Sequence, residues 1–445
     1  MPEIASPSAS TLNPAKTARQ RTDTFTSIWM MIAVAMAIAT LVAKSRMPQP
    51  LWTMIHLVTL GVLSNGIFQW SWFFARSLAR LSADDPRARR HNTIRVLIFN
   101  AFFALLFVSM WLGWMVGTVI AATGIAAVAA WHGAEMLSVL RERLASRFVV
   151  VVRYYVCSAS FFVLAALLAS FVTVTMFSPS IPEAMVAMRD RLTLAHALSG
   201  VAGWVGLTIG GTVITLGPTI LRTRMSPDAV SGGVRVLLPW CLSLLLAIAA
   251  ALLGVMPLVG AGILAVGACA IVGIVYPYAK VLRNKGPREY SAWSFLLGLL
   301  WISVGVCALG VAALFVSTPS QLRALTLMWL PIIGIAGFAQ LFQGALSYLM
   351  PVVIGGGPSI VRIGIAIIDW QFPLRLGLRN SALILELFLF FAGDTPSVHV
   401  LRMAGWFLVI ATFVIDVVIY AKTGVTQARA RRARSETLSE SRQVQ

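Results

Sequence analysis

FVVVVRYYVCSASFFVLAALLASFVTVTMF, residues 148–177, is the stretch on which the fold turns. It carries one charge, Arg153. About 20 apolar residues suffice to carry a helix across a hydrocarbon core about 30 Å thick. Its apolar positions are continuous and do not alternate with period two, which excludes a barrel strand. Runs of the same kind recur on both sides. Their limits are 27–45, 51–75, 96–113, 114–138, 148–177, 194–221, 233–254, 257–280, 292–317, 324–354, 376–393 and 397–421.

Composition agrees with that pattern. Of 445 residues, 58% are hydrophobic and 11% charged, and the mean hydropathy is +0.85. Soluble domains hold about 45–50% apolar and about 25% charged residues. A soluble, disordered or fibrous protein is therefore excluded. Cys157, Cys241, Cys269 and Cys307 all lie in apolar runs without a CxxC spacing, so they read as buried small residues. The first apolar run lacks a small-residue cleavage site and reads as an uncleaved span.

The net charge of +19 has to be placed relative to the membrane. With the N-terminus inside, 29 of the 35 Lys and Arg residues fall on the inner side. Lys44, Arg46, Arg189, Arg191, Arg323 and Arg402 remain outside. Cations concentrate on the cytoplasmic side of membrane proteins, so orientation explains the basic loops and no nucleic-acid role is needed. Residues 363–372, interrupted by Asp369, read as an interfacial or re-entrant stretch, because another span would put the basic tail outside. The expected fold is an all-α polytopic membrane protein with twelve transmembrane helices. A polar cytoplasmic segment (1–26) precedes a transmembrane domain (27–421), and a basic cytoplasmic tail (422–445) follows.

Internal matches divide the twelve spans into three pseudo-repeats of four. The sixth span ends GGTVITLGPTIL (210–221) and the tenth QGALSYLMPVVI (343–354). An offset of 133 places Gly211 on Gly344, Leu216 on Leu349, Pro218 on Pro351 and His196 on Trp329. In the second span His56 lies 140 residues before His196, in a weaker match without the proline. Gly and Pro also recur in membrane helices for packing alone. Gly200, Gly203, Gly206, Gly210 and Gly211 in the sixth span read as close helix packing.

Two stretches carry a resemblance. Residues 195–225, AHALSGVAGWVGLTIGGTVITLGPTILRTRM, resemble a block in bacterial membrane proteins encoded with, or fused to, copper nitrite reductase and multicopper oxidase domains. Residues 339–362, AQLFQGALSYLMPVVIGGGPSIVR, resemble a second such block. Those proteins are in turn distantly similar to the NnrS family and to the catalytic subunit of haem-copper oxidases, whose twelve helices form three groups of four. The resemblance implies a bacterial plasma-membrane protein in copper or nitrogen-oxide respiration. Its implied partner is a copper nitrite reductase or multicopper oxidase. The oxidase site resembles a set of six histidines on the second, sixth, seventh and tenth helices. This chain has five in all: His56, His91, His132, His196 and His399. The seventh span has none, and Trp329 stands where the repeat would place one in the tenth. The resemblance thus implies scaffold more than activity.

His56, His196 and His399 lie near the starts of spans that run inward, at similar depth. Imidazole ligates metals and haem, so His56 with His196 is a candidate pair for haem b or copper. Arg402, Arg189 and Arg191 are candidate propionate partners. Interfacial histidines bonded to water or backbone are the plain alternative. Ten of seventeen methionines fall at outer ends or loops. Met185 and Met188, in the loop leading to His196, are soft ligands suited to copper(I), although methionine is also an ordinary filler. Glu386 and Asp416 lie inside spans, where buried ionisable groups are functional candidates, here for a proton path. His132 and Glu135 share a helix face. The chain holds no GxxxxGK[ST], HExxH or GxSxG, and GGGP at 355–358 reads as a helix end. A secondary transporter is the rival class, with LSADDPRARR (81–90) faintly like an inner loop of facilitator transporters. A non-catalytic assembly or anchoring subunit is the third.

Overall fold

Long apolar runs without water-facing polar residues can satisfy their backbone groups in a membrane only as helices, and that is the form they take. The computed structural model describes residues 25–26, 28–36, 39, 49–82, 84–143, 149–177, 182–224, 227–284, 286–393 and 395–443, and their regular structure is entirely helical. The chain is an all-α, polytopic integral membrane protein.

Ten helices are long and apolar enough to cross a membrane. The first nine are α1 (Pro50–Leu78), α2 (Arg87–Trp111), α3 (Met115–Glu142), α4 (Val149–Phe177), α5 (Ala184–Ile220), α6 (Asp228–Leu253), α7 (Met256–Arg283), α8 (Tyr290–Phe315) and α9 (Trp329–Ile354). They coincide with the second to tenth expected spans. The short helix α10 (Pro358–Ile368) and helix α11 (Phe372–Leu389) follow. The tenth long helix is the last one, α12 (Pro396–Gln443). The expected first span, 27–45, is described over 28–36 and at 39, and the rest of it lies outside the described residues, as do most of segment 1–26 and Met47. Helix α11 lies over most of the expected eleventh span, 376–393, but is not among the ten, because Arg375, Arg379 and Glu386 interrupt its apolar run. All three are buried, so this helix keeps its charges on the protein side. The stretch 363–372 divides between α10 and a turn at Gln371, whose φ is 49°.

The helices form two compact units. The first comprises Met1–Val213 and Leu244–Gly254, the second Ile214–Ser243 and Val255–Gln445. In the first, Phe68, Phe99, Phe162 and Trp204 make an aromatic core, with the rings of Phe162 and Trp204 stacked at 4.6 Å. A Cβ on Gly203 would meet that of Phe161 at 2.5 Å, and one on Gly211 that of Tyr154 at 2.5 Å. Glycine thus lets α5 lie directly on α4, the close packing expected of small residues. In the second unit a Cβ on Gly344 would meet the backbone nitrogen of Phe295 at 2.5 Å, so α9 lies as closely on α8.

The end of α9 is built by α12. Gly355, Gly356 and Gly357 have φ of +72°, +102° and +94°, which only glycine adopts without strain. Gln427 donates to the Pro351 carbonyl at 2.7 Å, Arg431 to Ile354 at 2.8 Å and Arg434 to Gly356 at 3.0 Å. One face of the α12 extension thus satisfies the carbonyls that the helix end leaves open.

Candidate functional site

In the first unit α1 and α5 change winding at comparable points. Each has a π-helical stretch, Leu57–Ser64 and Leu198–Gly206. Such widened turns shift the side-chain register and are frequent at functional sites. His56 immediately precedes the first stretch, and His196 precedes the second by two residues.

The two imidazoles face each other with ring centroids 6.1 Å apart and planes 14° from parallel. Nδ1–H of His56 donates to the Trp52 carbonyl at 2.9 Å. Nδ1–H of His196 donates to the Ala165 carbonyl on α4 at 2.8 Å. A carbonyl can only accept, so each neutral ring carries its proton on Nδ1 and its lone pair on Nε2. Bonds of this kind fix tautomer and ring orientation in metal-ligating histidines. Trp52 stacks on His56 at 4.3 Å, and Trp111 Nε1 donates to Thr53 Oγ1 at 3.0 Å, anchoring the start of α1 to α2.

The other candidates lie apart from this pair or in the second unit. Met185 and Met188 precede His196 on the same helix by eight residues or more, about 12–16 Å along the axis, and Met188 is exposed. His399 lines an open groove with Thr395, Val400 and Met403 in the second unit. Arg402 there donates to the Leu389 carbonyl at 3.1 Å. Among the described residues no group of three or more His, Cys, Asp or Glu side chains could hold a metal.

The acids have different surroundings. Asp416 is fully buried and accepts from Arg375, from Arg379 and from the Tyr290 hydroxyl, the last at 2.7 Å. Arg379 also donates to Gln343 Oε1 at 2.8 Å and Thr412 Oγ1 at 3.1 Å. Two guanidinium groups thus answer one carboxylate. Asp369, in the turn before α11, accepts from the Tyr290 backbone N–H at 2.8 Å, while burial pushes its carboxyl above the usual range. Glu386 is buried, and among the described residues its Oε1 has no hydrogen-bond partner.

Each unit also holds polar clusters that reasoning from sequence did not assemble. In the first, Arg95 donates to Glu135, which also accepts from His91 at 2.8 Å and Trp131 at 2.8 Å. Asn100 Oδ1 accepts from Trp29 at 2.6 Å, and its amide donates to Asn65 at 2.7 Å. In the second, Asn380 Oδ1 accepts from Trp301 at 2.9 Å, and its amide donates to Gln340 at 3.0 Å. Asn and Gln inside apolar helices were the available signal, since a buried amide requires partners.

No family model matches the chain, and no curated protein matches its sequence. Function therefore has to follow from the chemistry of these sites.

Proposed function

We propose that this bacterial plasma-membrane protein has a scaffold like that of NnrS and the haem-copper oxidase catalytic subunit. In this reading His56 and His196 hold haem b or a copper ion for copper or nitrogen-oxide respiration, alongside a copper nitrite reductase or multicopper oxidase. The observation that carries the reading is the histidine pair itself. Two imidazoles from two helices face each other, and each has its Nδ1 proton committed to a carbonyl. Two Nε2 lone pairs suit a two-coordinate copper(I) or the axial positions of a haem. Bound there, either group would supply one-electron chemistry. The protein's own part is orientation: Trp52 and Ala165 hold the rings, and α4 braces α5 through Gly203 and Gly211.

A twelve-helix scaffold in three groups of four is supported by correspondences within the chain. Arg95, Arg235 and Arg375 are spaced by 140 residues, as are Asn100, Trp240 and Asn380. Arg95 and Arg375 each meet an acid on the next long helix, Glu135 and Asp416. The Trp–Asn–amide clusters at Asn100 and Asn380 have the same composition. Helix α9 carries its own π-helical stretch, Gly334–Ala339, and Gly344 closes it on α8 as Gly211 closes α5 on α4.

The reading is tested by haem and copper analysis of protein purified from cells supplied with both. Near-stoichiometric haem or copper is expected in the wild type, lost in His56→Ala and in His196→Ala and retained in Met188→Ala. Equal content in all four proteins would reject the pair as the site. A second reading, a proton-coupled transporter, is favoured by Glu386, a buried carboxyl whose Oε1 lacks a partner among the described residues.

A further inference from the structure

Helix α12 continues well past residue 421, the expected end of its span, and the extension has two faces. At about 100° per residue, Gln427, Arg431 and Arg434 fall within about 60° of one another. This face is spent on the protein, since it bonds the carbonyls of Pro351, Ile354 and Gly356. Lys422, Val425, Arg429 and Arg432 fall on the opposite side of the helix. All four are exposed. Among the described residues the side chains of Lys422, Arg429 and Arg432 have no hydrogen-bond or ion-pair partner. No acid stands between Asp416 and Glu436, so the free face carries its cations uncompensated.

The bonds to α9 also set the depth of this face. Gln427 lies level with Pro351, and Arg431 with Ile354, the last residue of α9. Val352 and Val353 are exposed there, so apolar surface runs to the end of α9. Val418 and Val425 continue an exposed apolar stripe down α12 on the side of the free cations. Arg429 and Arg432 thus follow where that apolar surface gives out. Helix α10 adjoins the same level. It buries Ile360, Gly364 and Ile368, and exposes Ile363 beside Arg362, with Trp370 exposed in the turn after it. An apolar face with a tryptophan and a cation is the signature of a helix lying in the membrane interface. Side chains on a helix lean toward its N-terminus, which for α12 is back toward the bilayer.

We propose that the free face of the α12 extension binds an anionic phospholipid of the inner leaflet. The acyl chains lie along Val418 and Val425, and the phosphate meets Arg429 and Arg432, with Lys422 beside it. Juxtamembrane cations are drawn to anionic lipid surfaces in this way. A soluble phosphate would use only the cationic part of the stripe, whereas a lipid uses the apolar part as well. A neutral lipid offers no net charge to answer the cations. The arginine run of the tail is thus divided by its helical register. Arg431 and Arg434 close the end of α9, and Arg429 and Arg432 hold the lipid that keeps the extension at that depth. The site requires the cytoplasmic placement of the tail and is independent of any metal at His56 and His196.

The experiment is native mass spectrometry of the full chain in detergent, titrated with phosphatidylglycerol and with phosphatidylcholine. Detergent has no leaflets, so the result does not depend on which way the chain is inserted. The wild type is expected to bind phosphatidylglycerol more tightly by ~10-fold or more, since several cations contribute. The Arg429→Gln, Arg432→Gln double variant should lose that preference and keep its melting temperature in phosphatidylcholine nanodiscs. Arg429→Lys with Arg432→Lys should retain the preference. Arg431→Gln with Arg434→Gln removes the same charge from the other face, and should keep the preference while melting lower in either lipid. A wild type without preference would overturn the proposal. So would equal loss of preference in the two glutamine variants, the mark of bulk charge alone. Displacement of the lipid by millimolar inorganic phosphate would reject a lipid in favour of a soluble anion.

Discussion

Asp416 shows what one buried carboxylate does for this protein. It neutralises one of two buried guanidinium groups, while the Trp370 and Ile368 carbonyls accept from Arg375, and Gln343 and Thr412 from Arg379. Removing one partner of a buried ion pair costs about 3–5 kcal/mol, because the other charge stays buried. Asp416→Asn is therefore expected to lower the melting temperature sharply or abolish expression, whereas Glu386→Gln is expected to be tolerated. At the exposed end of α2, Arg87 bonds Asp85 at 2.8 Å and Glu142 at 2.6 Å and holds the Asp85 carboxyl below the usual carboxylate range. A depressed native value gives stability that is complete above the unfolded pKa of about 3.9 and is lost as pH falls through the native one. Melting temperature is expected to fall on acidification, and Asp85→Asn to remove part of that fall. The histidines were legible as candidates, since imidazoles at like depth are few in such a chain. Their carbonyl partners were not, because nothing in the residues near Ala165 marks that carbonyl as the one facing His196.

At the scale of the element, glycine sets how closely the helices approach. Gly344→Ala would put a methyl group against the α8 backbone, and Gly211→Ala one against Tyr154. Overpacking of this kind costs about 1–3 kcal/mol. Thermal unfolding should show both losses, and a smaller one for Gly200→Ala, whose added Cβ meets Ala165 at an ordinary 3.8 Å. Gln427, Arg431 and Arg434 make a second kind of element contact, closing the end of α9. Arg434→Ala is expected to lower stability by about 1 kcal/mol, measured by the same unfolding. Ten of the helices, α1–α9 and α12, were plain in the sequence as apolar runs. Helix α11 was harder, because Arg375, Arg379 and Glu386 lower its hydropathy for a reason that appears only when they are seen to face protein. The π-helical turns were not legible, since no residue type marks an inserted register.

Across the whole molecule the distribution of cations carries a topological consequence. In a chain whose native cysteines are replaced by serine, Ser82→Cys and Ser435→Cys should react from one side of the membrane. Ala187→Cys and Thr395→Cys should react from the other. Labelling of Ser82→Cys and Ser435→Cys from opposite sides would reject twelve spans with both termini inside. Of the proposed repeat only fragments were legible, because they lie in isolated glycines, prolines and histidines. The Arg–acid and Trp–Asn–amide clusters join residues on separate helices and emerge only from packing. The central claim, however, is the cofactor at His56 and His196. Its most direct measurement is the dithionite-reduced minus oxidised absorption spectrum of detergent-purified protein, with copper analysis of the same sample. The expected result is either a Soret and α-band difference or near-stoichiometric copper, absent from the His56→Ala protein. A colourless, copper-free and monodisperse wild type, made with ample haem and copper, would contradict the claim.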